Sequence, residues 1–226
     1  MQTEACARDR ATTGSLAVPR ERQSRLRGWR SVVLALLVAA VLTGLLRAFV
    51  VDVYWIGSDS MQPTVEPGDR VLVSRLVDET QLQRGDLVVF DGRGSFAPLH
   101  SDDPWPLQAL GALGRWSGLA GSDTVYLKRV IGVPGDTVEC CGPSGRLLVN
   151  GEETDEGYVF PGDAPSEVEF TAVVPEGRLW LMGDHRSVSV DSRSLLGAPG
   201  GGLVRADKVV GEPVAVLWPP GRAGQL

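Results

Sequence analysis

The 226-residue chain holds only two histidines, three cysteines and two lysines. Each scarcity excludes something. His100, His185 and the cysteines show no metal-ligand spacing, so no metal and no organic cofactor is expected. Cys6 stands alone in the N-terminal segment, whereas Cys140 and Cys141 are adjacent. A bond between neighbours closes a tight ring, so a disulfide, two free thiols and an intermolecular bridge all stay open for that pair. No βαβ pattern of about 30 residues is present, which argues against a parallel sheet. With 43% hydrophobic and 22% charged residues, the chain is not disordered. Its 28 Gly and 15 Pro, close to one residue in five, exclude a long helical bundle or coiled coil.

What is present is unevenly distributed. Residues 1–30 carry seven arginines against Glu4, Asp9 and Glu21, a net charge of +4; the other 196 residues carry 15 basic and 25 acidic side chains, a net of −10. Between them lies Ser31–Val51, apolar except for Ser31, Thr43 and Arg47. As a helix this run is about 31 Å long, enough to cross a hydrocarbon core, with Arg47 close enough to its end to snorkel. A cleavable leader would have a shorter basic region and a small-x-small site, but the chain continues AFVVDVYW. The reading is a basic tail at 1–30 on the cytoplasmic side, a retained anchor at 31–51 and an extracytoplasmic domain at 52–226. Lipid is a partner on this reading. Nucleic acid is not, since positive-inside topology accounts for the arginines more simply.

The exported part reads as mainly antiparallel β. Pro67-Gly68-Asp69, Arg84-Gly85-Asp86 and Pro134-Gly135-Asp136 each precede an alternating or apolar run. Strands are expected after these turns and at 53–56, 124–133, 147–149, 168–173, 179–182 and 209–217. Residues 92–122 look like an insertion, loop-like first and then helical in the spacing of Leu107, Leu110, Leu113 and Trp116. Trp105 and Trp116 suit a segment at the membrane surface, and equally a helix packed on its own domain.

Two segments hold candidate chemistry: Gly57–Thr64, just after the anchor, and Tyr126–Gly132 in a strand. Asp184-His185 is weak as part of a triad, because neighbours in a strand point to opposite faces. Lys128 is conspicuous because 20 of the 22 basic residues are Arg. Arg stays charged, whereas a desolvated Lys loses its proton. A Lys in an apolar strand therefore suggests a deprotonatable amine; a snorkelling strand residue is the plainer alternative. Lys208 looks structural.

These segments carry a resemblance. Ser60-Met61-Gln62-Pro63-Thr64, Gly85–Phe90, Tyr126–Asp136 and Gly183–Arg193 match, in order, four blocks of the bacterial type I signal peptidases. The match covers roughly residues 30–218 and is specific as a set, though no single block is. His185 stands where many members have Asn, and Val188 where some have Asn.

The resemblance implies a membrane-bound serine endopeptidase that removes signal peptides from exported preproteins at Ala-x-Ala-type sites, close to the secretion translocon. It implies Ser60 as nucleophile and Lys128 as general base. The Ser60 N–H and Ser58 hydroxyl would bind the oxyanion, Ser189 would orient the amine, and Asp191 and Arg193 would form a supporting ion pair. Ile56, Met61, Val65, Tyr126 and Leu127 would line the substrate pockets. The chemistry is coherent: a lysine at its ordinary pKa is unprotonated in only about one molecule in 2,500 at pH 7, and burial lowers that pKa. Two other readings fit less well. A self-cleaving Ser–Lys repressor-type protease does not fit an exported domain, and retention of Ser60, Lys128 and Ser189 argues against a non-catalytic scaffold.

Overall fold

The computed structural model describes residues 21–96 and 124–226. Most of the basic tail and of the 92–122 insertion, with Trp105 and Trp116, lies outside these residues. The chain divides into two units, Met1–Gly44 and Leu45–Leu226.

Helix α1, Glu21–Phe49, carries the apolar run. Within it Trp29–Arg47 has a mean hydropathy of 2.1. Leu34, Leu36, Leu37 and Val41 are all exposed, so apolar side chains point outward in several directions. A helix apolar all round matches a lipid environment rather than a one-sided core. The helix ends before the hydropathy does. Val51 opens strand β1 (Val51–Trp55) instead of closing the helix. The β-branched alternation Val51, Val53 favours pairing with β2, Arg70–Ser74, and that pairing wins.

The other strands are β3 (Leu87–Asp91), β4 (Val125–Gly132), β5 (Thr137–Cys140), β6 (Leu148–Val149), β7 (Glu152–Glu153), β8 (Phe170–Val173), β9 (Arg178–Met182), β10 (Val204–Arg205), β11 (Val209–Trp218) and β12 (Gly224–Gln225). The larger sheet runs β1-β2-β11-β3-β4-β9-β10, with β12 on β11; the smaller runs β7-β6-β5-β8. Every pairing is antiparallel. Long β11 pairs with β3 through its first residues and with β2 through its last, shifting register around Pro213, where a residue without an N–H fits a bulge.

The three Gly-Asp turns share one construction. Gly68, Gly85 and Gly135 have φ of 95°, 95° and 90°, a region that favours glycine. The following Asp69, Asp86 and Asp136 each accept the backbone N–H three residues earlier, from Glu66, Gln83 and Val133 at 2.9, 2.7 and 2.9 Å. The strand that follows therefore leaves each turn in a fixed direction.

Among the described residues, three apolar clusters fill the domain. Val88, Phe90, Val130 and Leu181 anchor one, and Ile131, Val138, Phe170 and Trp180 the second. The third, Met61, Val65, Val71, Val73, Val89, Leu127 and Val216, lies under the segment that follows β1. Each fully buried side chain contributes roughly 1.5–3 kcal/mol. Phe96, inside the expected insertion, is buried against Phe90 and Tyr126, so the insertion's first residues belong to the core. Cys140 and Cys141 are joined as a disulfide at the end of β5.

Candidate active site

Ser60 sits in the turn after β1. On β1 and just beyond it, Tyr54 and Ile56 pack on the third core cluster, and Met61 and Val65 lie within that cluster. The turn is thus pinned on both sides of Ser60. Its carbonyl is pinned too, accepting the His185 N–H at 3.1 Å. The imidazole of His185 stacks on Phe160, with Nδ1 3.2 Å from the Asp59 carbonyl and Nε2 4.0 Å from Asp163. His185 therefore meets Ser60 through backbone, and the Ser60 hydroxyl faces another side chain.

That side chain is Lys128. Its Nζ lies 2.8 Å from Ser60 Oγ and 2.9 Å from Ser189 Oγ. Lys128 is central in β4, between β3 and β9, and is 3% exposed. Burial is the largest influence and lowers its pKa to about 8; Asp191 opposes this and Arg193 reinforces it. At pH 7 about one amine in ten is then neutral, against about one in 2,500 at the ordinary value. Among the described residues Lys128 forms no ion pair, and its hydrogen bonds go to hydroxyls.

Arg129, the next residue, takes other partners. Its guanidinium binds buried Asp184 in two places, at 2.8 and 2.6 Å, and covers the Tyr158 ring at 4.1 Å. Asp184 also accepts from Thr64 at 2.5 Å, tying the serine turn to the segment after β9. Asp191 is fully buried and receives Arg193 at 2.9 and 2.7 Å and the Gly183 N–H at 3.0 Å. Its carboxylate fixes the backbone that presents Ser189. Gly183 has a requirement that spacing did not expose. A Cβ there would lie 2.3 Å from Ser189 Oγ and 2.5 Å from the Ser60 carbonyl. Its position directly after a strand, where close backbone approach favours glycine, was the available signal.

Ser58 Oγ stands 3.2 Å from Ser60 Oγ, within reach of the same reaction centre. An open cleft of about 530 Å³ lies beside them, lined by Ile56, Met61, Tyr126, Leu127 and Lys128 among others. Val65, the remaining pocket candidate, does not line it; it is fully buried in the core beneath Ser60. Sequence reasoning missed Trp55, Val188 and Val190, which also line the cleft.

The arrangement sets a hydroxyl, a buried amine within hydrogen-bond distance of it, and a largely apolar groove side by side. The family described as "Signal peptidase, peptidase S26" matches residues 29–218. The chain is 32% identical to a protein named probable signal peptidase I from Mycobacterium leprae (strain TN), over 87% of this chain and 78% of that protein. It is 34% identical to signal peptidase I of Mycobacterium tuberculosis (strain CDC 1551 / Oshkosh), over 83% and 71%, and 32% identical to that of Bacillus licheniformis, over 82% and 86%. On the strength of that match across most of its length, the chain belongs to the S26 family of signal peptidases.

Proposed function

We propose that the chain is a membrane-anchored endopeptidase that cuts exported preproteins after Ala-x-Ala-type motifs, using Ser60 as nucleophile and Lys128 as general base. The observation that carries this reading is the 2.8 Å approach of the buried Lys128 amine, which forms no ion pair among the described residues, to Ser60 Oγ. The neutral amine takes the Ser60 proton as Oγ attacks the scissile carbonyl. The Ser60 N–H and the Ser58 hydroxyl stabilise the oxyanion. Protonated Lys128 then gives its proton to the leaving amine, the C–N bond breaks, and an ester remains on Ser60. Water, deprotonated by Lys128, hydrolyses the ester and restores the serine. Ser189 holds the amine on line between these steps.

Substrate pairs as a strand beside β1, placing alternate small side chains against Ile56, Met61, Tyr126 and Leu127. Helix α1 spans the bilayer with its basic end in the cytoplasm, so the cut falls at the outer surface, where preproteins leave the translocon. Support for this comes from the apolar run, the flanking arginines and the few residues between Val51 and Ser60. The test uses the full chain in detergent with an Ala-x-Ala preprotein. Ser60→Ala and Lys128→Ala should each abolish cleavage and leave the melting temperature within a few degrees. Full activity in either variant overturns the dyad.

A further inference from the structure

Trp55 ends β1 and breaks its pattern. Its neighbours Tyr54 and Ile56 are half-buried against the core, whereas Trp55 is 39% exposed. It nevertheless lines the catalytic cleft. The ring folds forward along the chain: a Cβ on Gly57 would lie 2.5 Å from Trp55 Cζ3 and 3.2 Å from Cη2. Gly57 thus leaves room for the indole to lie over the backbone that leads to Ser58 and Ser60. Among the described residues β1 is also an outer strand of its sheet, paired with β2 on one side.

We infer that Trp55 is a specificity-determining residue, an aromatic platform for the substrate side chain between the two small ones, the x of Ala-x-Ala. The inference rests on the proposed reading of the site. A strand laid beside β1 shares its pleat, so side chains alternate between two faces. Residues entering the pockets share the face of Tyr54 and Ile56. The residue between them falls on the face of Trp55, where the indole offers flat apolar surface beside the scissile bond. A side chain with apolar bulk at x covers that surface, and a small polar one leaves it wet.

The experiment compares kcat/KM for preproteins differing only at x (Phe, Leu or Ser), using the full chain in detergent with the native residue, Trp55→Ala or Trp55→Phe. The native enzyme should prefer Phe and Leu over Ser by about three- to five-fold, the size of an aromatic cross-strand contact. Trp55→Ala should bring the ratio to about one while the Ser substrate is still cut, and Trp55→Phe should keep part of it. Trp55→Phe also covers the case in which the alanine variant fails to fold, since a ratio equal to the native one then overturns the inference. An unchanged ratio in a folded Trp55→Ala enzyme overturns it as well. Cleavage that survives Ser60→Ala would instead sink the reading of the site beneath it, and this inference with it.

Discussion

Two regions of the domain bury cationic side chains at similar depth and treat them in opposite ways. Behind the serine turn, Arg129, Arg186 and Arg193 each face a buried or nearly buried carboxylate: Asp184, Glu156 and Asp191. In the cleft, Lys128 is as buried, but among the described residues it forms no ion pair and its hydrogen bonds go to Ser60 and Ser189. A guanidinium that must stay charged needs a counter-ion to survive burial. An amine that must give up its proton is best left without one, because a nearby carboxylate would raise its pKa. Asp191 illustrates the balance. It acts to raise the Lys128 pKa, Arg193 acts to lower it, and burial outweighs both. The carboxylates thus build the frame, and apolar burial sets the chemistry.

The sharpest way to break this contrast is to put the wrong cation in the cleft. Lys128→Arg should lose about 10³-fold or more in kcat/KM, as much as Lys128→Ala, because a guanidinium does not deprotonate near neutral pH. Initial rates on an Ala-x-Ala preprotein check this, and substantial activity in the arginine variant would contradict it. Removing a counter-ion from the frame should mainly cost stability. Asp191→Asn leaves Arg193 buried with a weakened partner and is expected to destabilise the fold by up to about 3–5 kcal/mol. Chemical denaturation reads that change, and a native-like midpoint would show that the pair is dispensable.

The pH dependence separates the regions more gently. On the proposed dyad the reacting form carries the neutral amine, so kcat/KM should rise about tenfold per pH unit below about 8 and level off above it. The stability sign follows. The folded pKa lies below the unfolded value, so between about 8 and 10.5 the unfolded chain binds more protons and stability climbs with pH. Below 8 the burial penalty is present in full. Lys128→Met should therefore melt above the native protein at pH 7, by up to about 3 kcal/mol, with the difference shrinking toward pH 10. Parallel melting curves at three pH values test this; a constant difference would remove burial as the cause.

Much of the fold was legible in the chain. The Gly-Asp turns repeat a local construction, and nine of the twelve strands among the described residues fall in alternating or apolar runs that the chain marks. The strands missed were Glu152–Glu153, Val204–Arg205 and Gly224–Gln225, each two residues long; the equally short Leu148–Val149 was legible because Leu147 extends it to an apolar run of three. At the other extreme, Val51 reads as anchor by hydropathy and as strand by pairing, and only the presence of β2 decides between them. Within the site, the type of residue was the signal. Two lysines against twenty arginines single out Lys128 by composition alone.

The chain alone thus determined an apolar run long enough for a bilayer, an antiparallel β domain and the motif blocks that carry the family. These are local properties, written in hydropathy, alternation and turn residues. Tertiary structure decided what depends on which strands become neighbours. Setting β4 between β3 and β9 buries Lys128 and brings it to Ser60 and Ser189, 68 and 61 residues away in sequence. The same packing sends Val65 into the core, turns Trp55 toward the cleft and leaves no room for a side chain at Gly183. Composition can hint that an amine is meant to lose its proton, but the desolvation that lowers its pKa exists only once the sheet has closed around it.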